Sequence, residues 1–370
     1  MLTAGDPAPW FDARSPERPD FHLSQAAGRY IVLSFFGSAA RADVQAMLAA
    51  FRSQDRLFND GFAAFFGVSC DAEDEKQSRI THRLPGFHLF WDPDGKIPEL
   101  YGLTGEAGGK KAMRRATFVL DNALRVLAVF PISEVPGHAR TVMEFVAALP
   151  LHPPPDERAN APAPVLVLPR VFEPEFCKLL IALYDKGNAA ASGFMSTDLQ
   201  SGKTVLKMDD AFKKRRDVQI DDEAMRQQVN ARLVRRLVPE VKKAFQFEAT
   251  RIERYIVARY DANEGGFFRP HRDNTTKGTA HRRFAVTLNL NAEDYEGGDL
   301  RFAEFDRRTY RAPTGGAVVF SCSLLHEATP VTKGTRYAFL PFLYDEAAAK
   351  VREENLKYLQ LSAHAEKAAE

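Results

Sequence analysis

Two hydrophobic rhythms divide this chain. In the first half, continuous apolar runs alternate with stretches of helical spacing. YIVLSFF (residues 30–36), GFAAFFGVS (61–69) and FHLFW (87–91) have the pattern of strands covered on both faces. RADVQAMLAAFRSQDRL (41–57) places its apolar residues at helical spacing, and a short polar helix is predicted around EDEKQSRI (73–80). ATFVLD and RVLAVFP, parted by a turn at Asn122, read as a hairpin, and HARTVMEFVAAL closes the half as a helix. Strands that alternate with helices imply an α/β sandwich.

The second half opens on a helix, EPEFCKLLIALYDK (173–186). Another is predicted from Glu223 to Phe245, with Leu233, Leu237, Val241 and Phe245 on one stripe. From residue 251 the rhythm becomes short strands broken by Gly and Pro: RIERYIVARY, RRFAVTLNLN, GDLRFAEF, RTYRA, GAVVFSC and RYAFLPFLY. That series predicts a β-sandwich or barrel. AAAKVREENLKYLQ ends the chain as an amphipathic helix, packed on the barrel or on a partner. Between the halves, residues 149–165 carry six prolines, which suit an extended linker. The expected division is residues 1–150, a linker over 151–164, a β domain over 165–346, and a C-terminal helix over 347–370.

Composition narrows the function classes. With 45% hydrophobic and 27% charged residues, the chain is an ordinary globular one, long enough for two domains. A formal net charge of +1 gives no broad attraction to nucleic acid or to an anionic membrane. No apolar run approaches the ~20 residues that cross a bilayer, and the first residues lack the pattern of a secretory signal. The three cysteines, Cys70, Cys177 and Cys322, form no CxxC pair and sit in apolar settings, as buried thiols of a cytoplasmic protein do. Lys213-Lys214-Arg215-Arg216 is expected to be a solvated face, and His281 and His364 are expected to be solvent-exposed.

The candidate chemistry lies in RPHRDNTTKG. In extended backbone, residues two apart point to one face, so His271 and Asp273 can reach one metal from a strand end. His326 follows the buried run GAVVFSCSLL and can supply a third ligand. Two imidazoles and one carboxylate leave about three coordination positions open, which suits ferrous iron holding a substrate and O2. Arg336 lies ten residues further on, inside an apolar strand. A buried arginine is costly unless it meets an anion, and its fork suits a carboxylate. Each residue alone has a bland reading: a surface ion pair for His271 and Asp273, a core histidine for His326, an internal ion pair with Glu253 or Asp299 for Arg336. Their order, with a Gly-Gly turn before a strand, favours the joint reading.

RYDANEGGFFRPHRDN, TLNLN, YEGGDLRF and GGAVVFSCSLLHEATPVTKGTRYAF together resemble the iron(II)/2-oxoglutarate-dependent oxygenases of the prolyl 4-hydroxylase-like branch, over about residues 165–345. The resemblance implies a double-stranded β-helix (jelly roll) with flanking helices, and iron(II) on His271, Asp273 and His326. It also implies 2-oxoglutarate anchored by Arg336, with O2 and, in some relatives, ascorbate. Tyr260 falls where that branch has a tyrosine bonded to the cosubstrate, one residue further from the histidine. Asn289 falls where some relatives place a polar cosubstrate contact. The implied reaction is hydroxylation of a peptidyl, in some relatives prolyl, or small-molecule substrate, with release of succinate and CO2. Residues 193–219 correspond to a segment that covers the site in relatives, where Arg215 and Arg216 could meet an acidic substrate.

The first 150 residues are similar to thioredoxin-fold peroxiredoxins, through YIVLSFFGSAARADVQAM, GFAAFFGVSCDAEDE, WDPDGKIPELYGL and RRATFVLDNALRVLAVF. In that family the reactive cysteine stands where the first core strand turns into its helix. Here that turn is GSAARADVQ, without cysteine, and Arg115 matches an arginine that supports the missing thiolate. Ser38 ionises too weakly to replace it. The half is therefore expected to be non-catalytic, serving the substrate entrance, a homodimer or a protein partner. Three alternatives stay open: a partner-binding protein without catalysis, a different metalloenzyme on a cupin-like barrel, and a peroxide-responsive thiol protein acting through Cys70.

Overall fold

The computed structural model describes residues 1–16, 21–107, 110–133, 135, 137–150, 161–198 and 200–360. Residues 151–160 of the proline-rich stretch and His364 lie outside the described residues. The chain forms two compact units: Met1–Pro162 with Ala303–Arg307, and Ala163–Phe302 with Arg308–Glu370.

The first unit is built on a five-stranded sheet in the order Phe87–Trp91, Ala63–Ser69, Tyr30–Gly37, Ala116–Leu120, Val126–Pro131. The first three strands are parallel and the last two antiparallel. The continuous apolar runs are explained by cover on both faces. Tyr30, Val32 and Phe36 pack with Val44, Met47 and Phe51 of helix Ala42–Arg52 and with Val142 and Val146 of helix His138–Ala147. Phe35, on the other face, meets Tyr101 and Phe118. The serine inside the first run is also accounted for, since buried Ser34 accepts a hydrogen bond from Thr117, which bonds His138 Nε2. This is a thioredoxin-like α/β sandwich.

Besides a small three-stranded sheet of Phe194–Thr197, Thr204–Lys207 and Leu359–Gln360, the described residues of the second unit form two large antiparallel sheets. The larger runs Leu166–Leu168, Ala317–Ser321, Phe284–Asn289, Val331–Phe339, Ile256–Asp261, Arg216–Gln219, Ala190–Ala191, and further short strands pair beside it. The smaller runs Lys213–Lys214, Phe267–His271, His326–Ala328, Leu300–Arg301, Thr309–Tyr310. Period-2 alternation sorts the larger sheet's side chains. Val257, Val286, Leu288, Val319 and Phe339 pack outward against Phe176, Leu180, Val229, Leu233 and Val241 of the helices. Ala258 and Tyr260 point the other way, into a cluster with Phe268 and Ala328 of the smaller sheet. Two such sheets face to face make a jelly roll.

The helices and two charged clusters of the second unit depart from the sequence expectations. The helix expected over 223–245 is two helices, Glu223–Arg236 and Val238–Phe245. Pro239 lacks an N–H and its ring clashes with the carbonyl four residues back, so the helix breaks, although Leu233, Leu237 and Val241 remain buried on one stripe. The C-terminal helix ends at Asn355, and residues 356–360 form a 3-10 turn and a short strand beside Thr204–Lys207. The basic run is not a solvated face: Lys213 and Arg215 are buried, while Lys214 and Arg216 are exposed. His281 is buried as well, its Nε2 at 2.5 Å from Glu253.

Glu253 also accepts from Arg282 Nη2 at 2.6 Å. Burial works to raise this carboxyl, but Arg282 and then His281 outweigh it and hold it far below the usual glutamate value. A depressed carboxylate contributes stability that is present above its ordinary value of 4.5 and is lost as the pH falls through the folded value. Glu253→Gln strands a buried guanidinium and is expected to cost about 3 kcal/mol. Urea melts should show that loss at pH 7, and a narrower gap to the wild type as the pH is lowered below 4.5.

Candidate metal centre

The smaller sheet brings three candidate ligands together. His271 ends the strand Phe267–His271 and pairs directly with His326, which opens the antiparallel strand His326–Ala328. Asp273 follows two residues later, its N–H donating to the Cys322 carbonyl at 3.0 Å. One ligand atom from each of His271, Asp273 and His326 lies within 4.8 Å of the others. His271 Nε2 is 3.6 Å from Asp273 Oδ1, and His326 Nε2 is 3.4 Å from Oδ2.

Hydrogen bonds fix which nitrogen faces the centre. The carbonyl of Arg269 lies 2.7 Å from His271 Nδ1, and that of Leu324 lies 3.0 Å from His326 Nδ1. A carbonyl only accepts, so both Nδ1 atoms carry the proton and both Nε2 atoms present lone pairs, as metal-binding imidazoles do. His271 is also stacked on Phe268, with ring centroids 3.5 Å apart. Burial, followed by His271, pushes the His326 imidazole down to about 4, so it is a neutral donor at pH 7. For Asp273, burial works upward, but His326 and His271 outweigh it and keep the group ionised. A carboxylate facing two imidazole Nε2 atoms fits a divalent cation.

Across the cleft, the larger sheet pairs Tyr260 with Arg336. Arg336 is only 2% exposed, and among the described residues its Nε and Nη1 have no hydrogen-bond partner. The two acids that could have neutralised it are engaged elsewhere: Glu253 with His281 and Arg282, Asp299 with Arg311 at 2.5 Å. Gly298 makes room for it. A Cβ there would sit 3.1 Å from Arg336 Cδ and 2.9 Å from Val331, at a φ of +69°, which explains the Gly-Gly turn. Arg336 lies over the Tyr260 ring at 4.8 Å, and the Tyr260 hydroxyl accepts from Arg215 Nη1 at 3.3 Å.

A cleft of about 460 Å3, its solvent-filled mouth included, is lined by His271, Asp273, His326, Tyr260 and Arg336 among others. Asn289 is not among its lining residues; its amide donates to the Ala312 carbonyl at 2.7 Å. Arg215 and Arg254 also line the cleft; the sequence had pointed to Arg215, with Arg216, as able to meet an acidic substrate, but not to Arg254. Arg215 carried a signal, since alternate residues of a short strand point one to the core and one to solvent.

In the first unit, the turn where a reactive cysteine would stand holds Ser38, whose hydroxyl donates to Asp71 at 2.6 Å. Burial, reinforced by Asp92, pushes the Cys70 thiol up to about 12, and its sulfur packs 3.8 Å from that of Met113. A thiol so far from ionising is inert. Thiol-supported hydrogen peroxide consumption is expected to stay at the buffer rate and to be the same in Cys70→Ser; a rate that the substitution abolishes would reverse this reading.

Facing antiparallel sheets around two histidines and one carboxylate define a jelly-roll fold with a candidate site for a single metal ion. Residues 255–344 match the family model of the 2OG-Fe(II) oxygenase superfamily, and residues 4–129 match that of the AhpC/TSA family. The chain thus joins a region similar to the AhpC/TSA family to one similar to the 2OG-Fe(II) oxygenase superfamily. It is similar to the multifunctional procollagen lysine hydroxylase and glycosyltransferase LH3 of Rattus norvegicus, 36% identical over 96 residues, 25% of this chain and 12% of the relative. A PKHD-type hydroxylase of Synechococcus sp. (strain JA-3-3Ab) is 32% identical over 93 residues, 24% of this chain and 41% of the relative. The chain therefore spans less than half the length of these relatives. Among solved structures, peroxidoxin BcpB of Mycobacterium tuberculosis is 22% identical, with a TM-score of 0.35, covering 40% of this chain and 99% of that one.

Proposed function

We propose that the chain is an iron(II)- and 2-oxoglutarate-dependent dioxygenase that hydroxylates a peptidyl or small-molecule substrate, releasing succinate and CO2. One observation carries the reading: a fully buried arginine with unpaired nitrogens faces the same cleft as two imidazole lone pairs and a carboxylate. That is the donor set for a divalent metal with an anion receptor beside it. Iron(II), 2-oxoglutarate and O2 supply the oxidising chemistry when bound.

The chain's residues perform the rest. His271, Asp273 and His326 hold the metal from one side and leave the other open. Arg336 anchors the far carboxylate of the cosubstrate, and Tyr260 lies against that guanidinium. Phe268 and Phe320, which line the cleft, keep water from the centre. Asn289 stands behind Tyr295, whose hydroxyl it accepts at 3.5 Å, rather than touching the cosubstrate itself.

The domain assignment belongs to the same proposal: a non-catalytic redoxin-like domain over 1–150, a linker over 151–164, the oxygenase domain over 165–346 and a C-terminal segment over 347–370. The redoxin-like domain is the part available for a partner or a second copy. Among the described residues no helix is long and apolar enough to cross a membrane, and the free thiols suit a reducing cytoplasm. The test is anaerobic metal analysis followed by succinate measurement with iron(II), 2-oxoglutarate and O2. One iron per chain and iron-dependent succinate are expected. Absence of both would leave a binding protein, and iron without 2-oxoglutarate consumption a different metalloenzyme.

A further inference from the structure

Arg254 stands where the expected single strand 251–260 breaks into Arg251–Glu253 and Ile256–Asp261. Its φ is +69°, a left-handed conformation that costs an arginine energy and persists only where surrounding structure imposes it. The break sends its side chain into the cleft, whereas that of Glu253 goes to His281 and Arg282.

In the cleft Arg254 has an incomplete set of partners. Its nearest acid is Asp217, at 3.9 Å, beyond hydrogen-bond distance. Both Asp217 oxygens are already held by Arg215, through Nε at 2.7 Å and Nη2 at 2.6 Å. The Arg254 guanidinium lies over the Phe342 ring at 5.1 Å, and its side chain is 22% exposed. Among the described residues it makes no hydrogen bond that would occupy its fork. Burial, then Arg215, push its pKa down to about 10, so it stays charged with little to neutralise it.

Among the residues that line the cleft, a charge count leaves Arg254 unmatched; Lys213, buried beside them, is not a lining residue and donates to Ser192 Oγ and the Gly193 carbonyl. A divalent metal with Asp273, and a dianionic cosubstrate with Arg336, sum to zero. Arg215 cancels Asp217, and Arg282 cancels Glu253. One positive charge remains on the wall, on a planar fork that suits a carboxylate.

We propose that Arg254 is a specificity-determining residue that binds a carboxylate of the substrate, so that the enzyme acts on a molecule with a free carboxylate near the oxidised carbon. This rests on the oxygenase reading of the cleft, and names its substrate class. A monoanionic carboxylate on this fork leaves the cleft neutral, whereas phosphate, largely dianionic near neutral pH, leaves an uncompensated negative charge there. Arg215, already chelated by Asp217, and Arg216, exposed and donating to the Ala189 carbonyl, do not take this role.

The test uses the full chain loaded with Mn(II) and N-oxalylglycine, an unreactive stand-in for the cosubstrate. Titration with 13C-acetate, acetamide and inorganic phosphate is read by NMR relaxation. Saturable acetate binding is expected, with acetamide and phosphate weaker. Arg254→Gln should weaken acetate at least ~10-fold, and Arg254→Lys, which keeps the charge without the fork, about threefold. Acetate held on the metal alone would be indifferent to R254Q and would overturn the proposal. So would equal binding of acetamide, preference for phosphate, or no saturable acetate binding. If R254Q does not fold, the three-ligand comparison on wild type and R254K decides. Failure of wild type to take up Mn(II) and N-oxalylglycine would instead strike the oxygenase reading, and the acetate series on metal-free protein would then judge Arg254 separately.

Discussion

Replacing His271 by alanine is expected to reduce iron-dependent succinate formation more than ~100-fold, beyond what loss of a group behind a ligand produces. The expectation follows from the donor set. His271 supplies one of only two imidazole lone pairs at the centre, and the Arg269 carbonyl and the Phe268 ring hold it in place. With alanine there, Asp273 and His326 make a two-point site that cannot retain iron against dilution. Iron analysis after dialysis should fall in parallel with turnover, while the circular dichroism melt stays near the wild-type value. Undiminished succinate formation would rule out this centre.

Replacing Arg336 by methionine is expected to move two measurements in opposite directions. Without ligands, two buried guanidinium nitrogens have no partner. Each such loss costs about 1–3 kcal/mol, so removing the group should raise the melting temperature of the ligand-free protein. In contrast, the anion receptor is gone. Truncating one side of a buried charge pair costs about 2–5 kcal/mol, or on the order of 10²–10³-fold in the KM for 2-oxoglutarate. A residue with a merely structural role would lower stability and leave the KM alone. Thermal shift with and without 2-oxoglutarate separates the two cases.

Much of this was legible along the chain because it depends on short-range periodicity. The doubly covered strand Tyr30–Gly37 and the short strands after residue 251 follow from burial pattern alone. The candidate site was legible because His271 and Asp273 alternate along one extended segment, and because the order of His271, Asp273, His326 and Arg336 matches that of the oxygenases the chain resembles. Pairings set by tertiary packing were less visible. His281 looked exposed in AHRRF, and its partner Glu253 lies 28 residues away. The basic run 213–216 looked solvated because its composition hides the alternation that buries Lys213 and Arg215. Arg254 gave no signal at all, because its role depends on a left-handed break inside an apparently continuous strand. The turn without cysteine in the first unit was plain from sequence, as was the apolar setting of Cys70, which the structure leaves half-buried rather than fully buried.

The central claim is that His271, Asp273 and His326 share one metal ion with Arg336 a cosubstrate's length away. Anomalous diffraction at the iron edge, from crystals grown anaerobically with iron(II) and 2-oxoglutarate, tests it most directly. The account predicts a single iron peak touching His271 Nε2, His326 Nε2 and an Asp273 carboxylate oxygen, with the distal carboxylate of 2-oxoglutarate on the Arg336 fork. An iron peak elsewhere, or Arg336 turned to an acid of the chain itself, would contradict it.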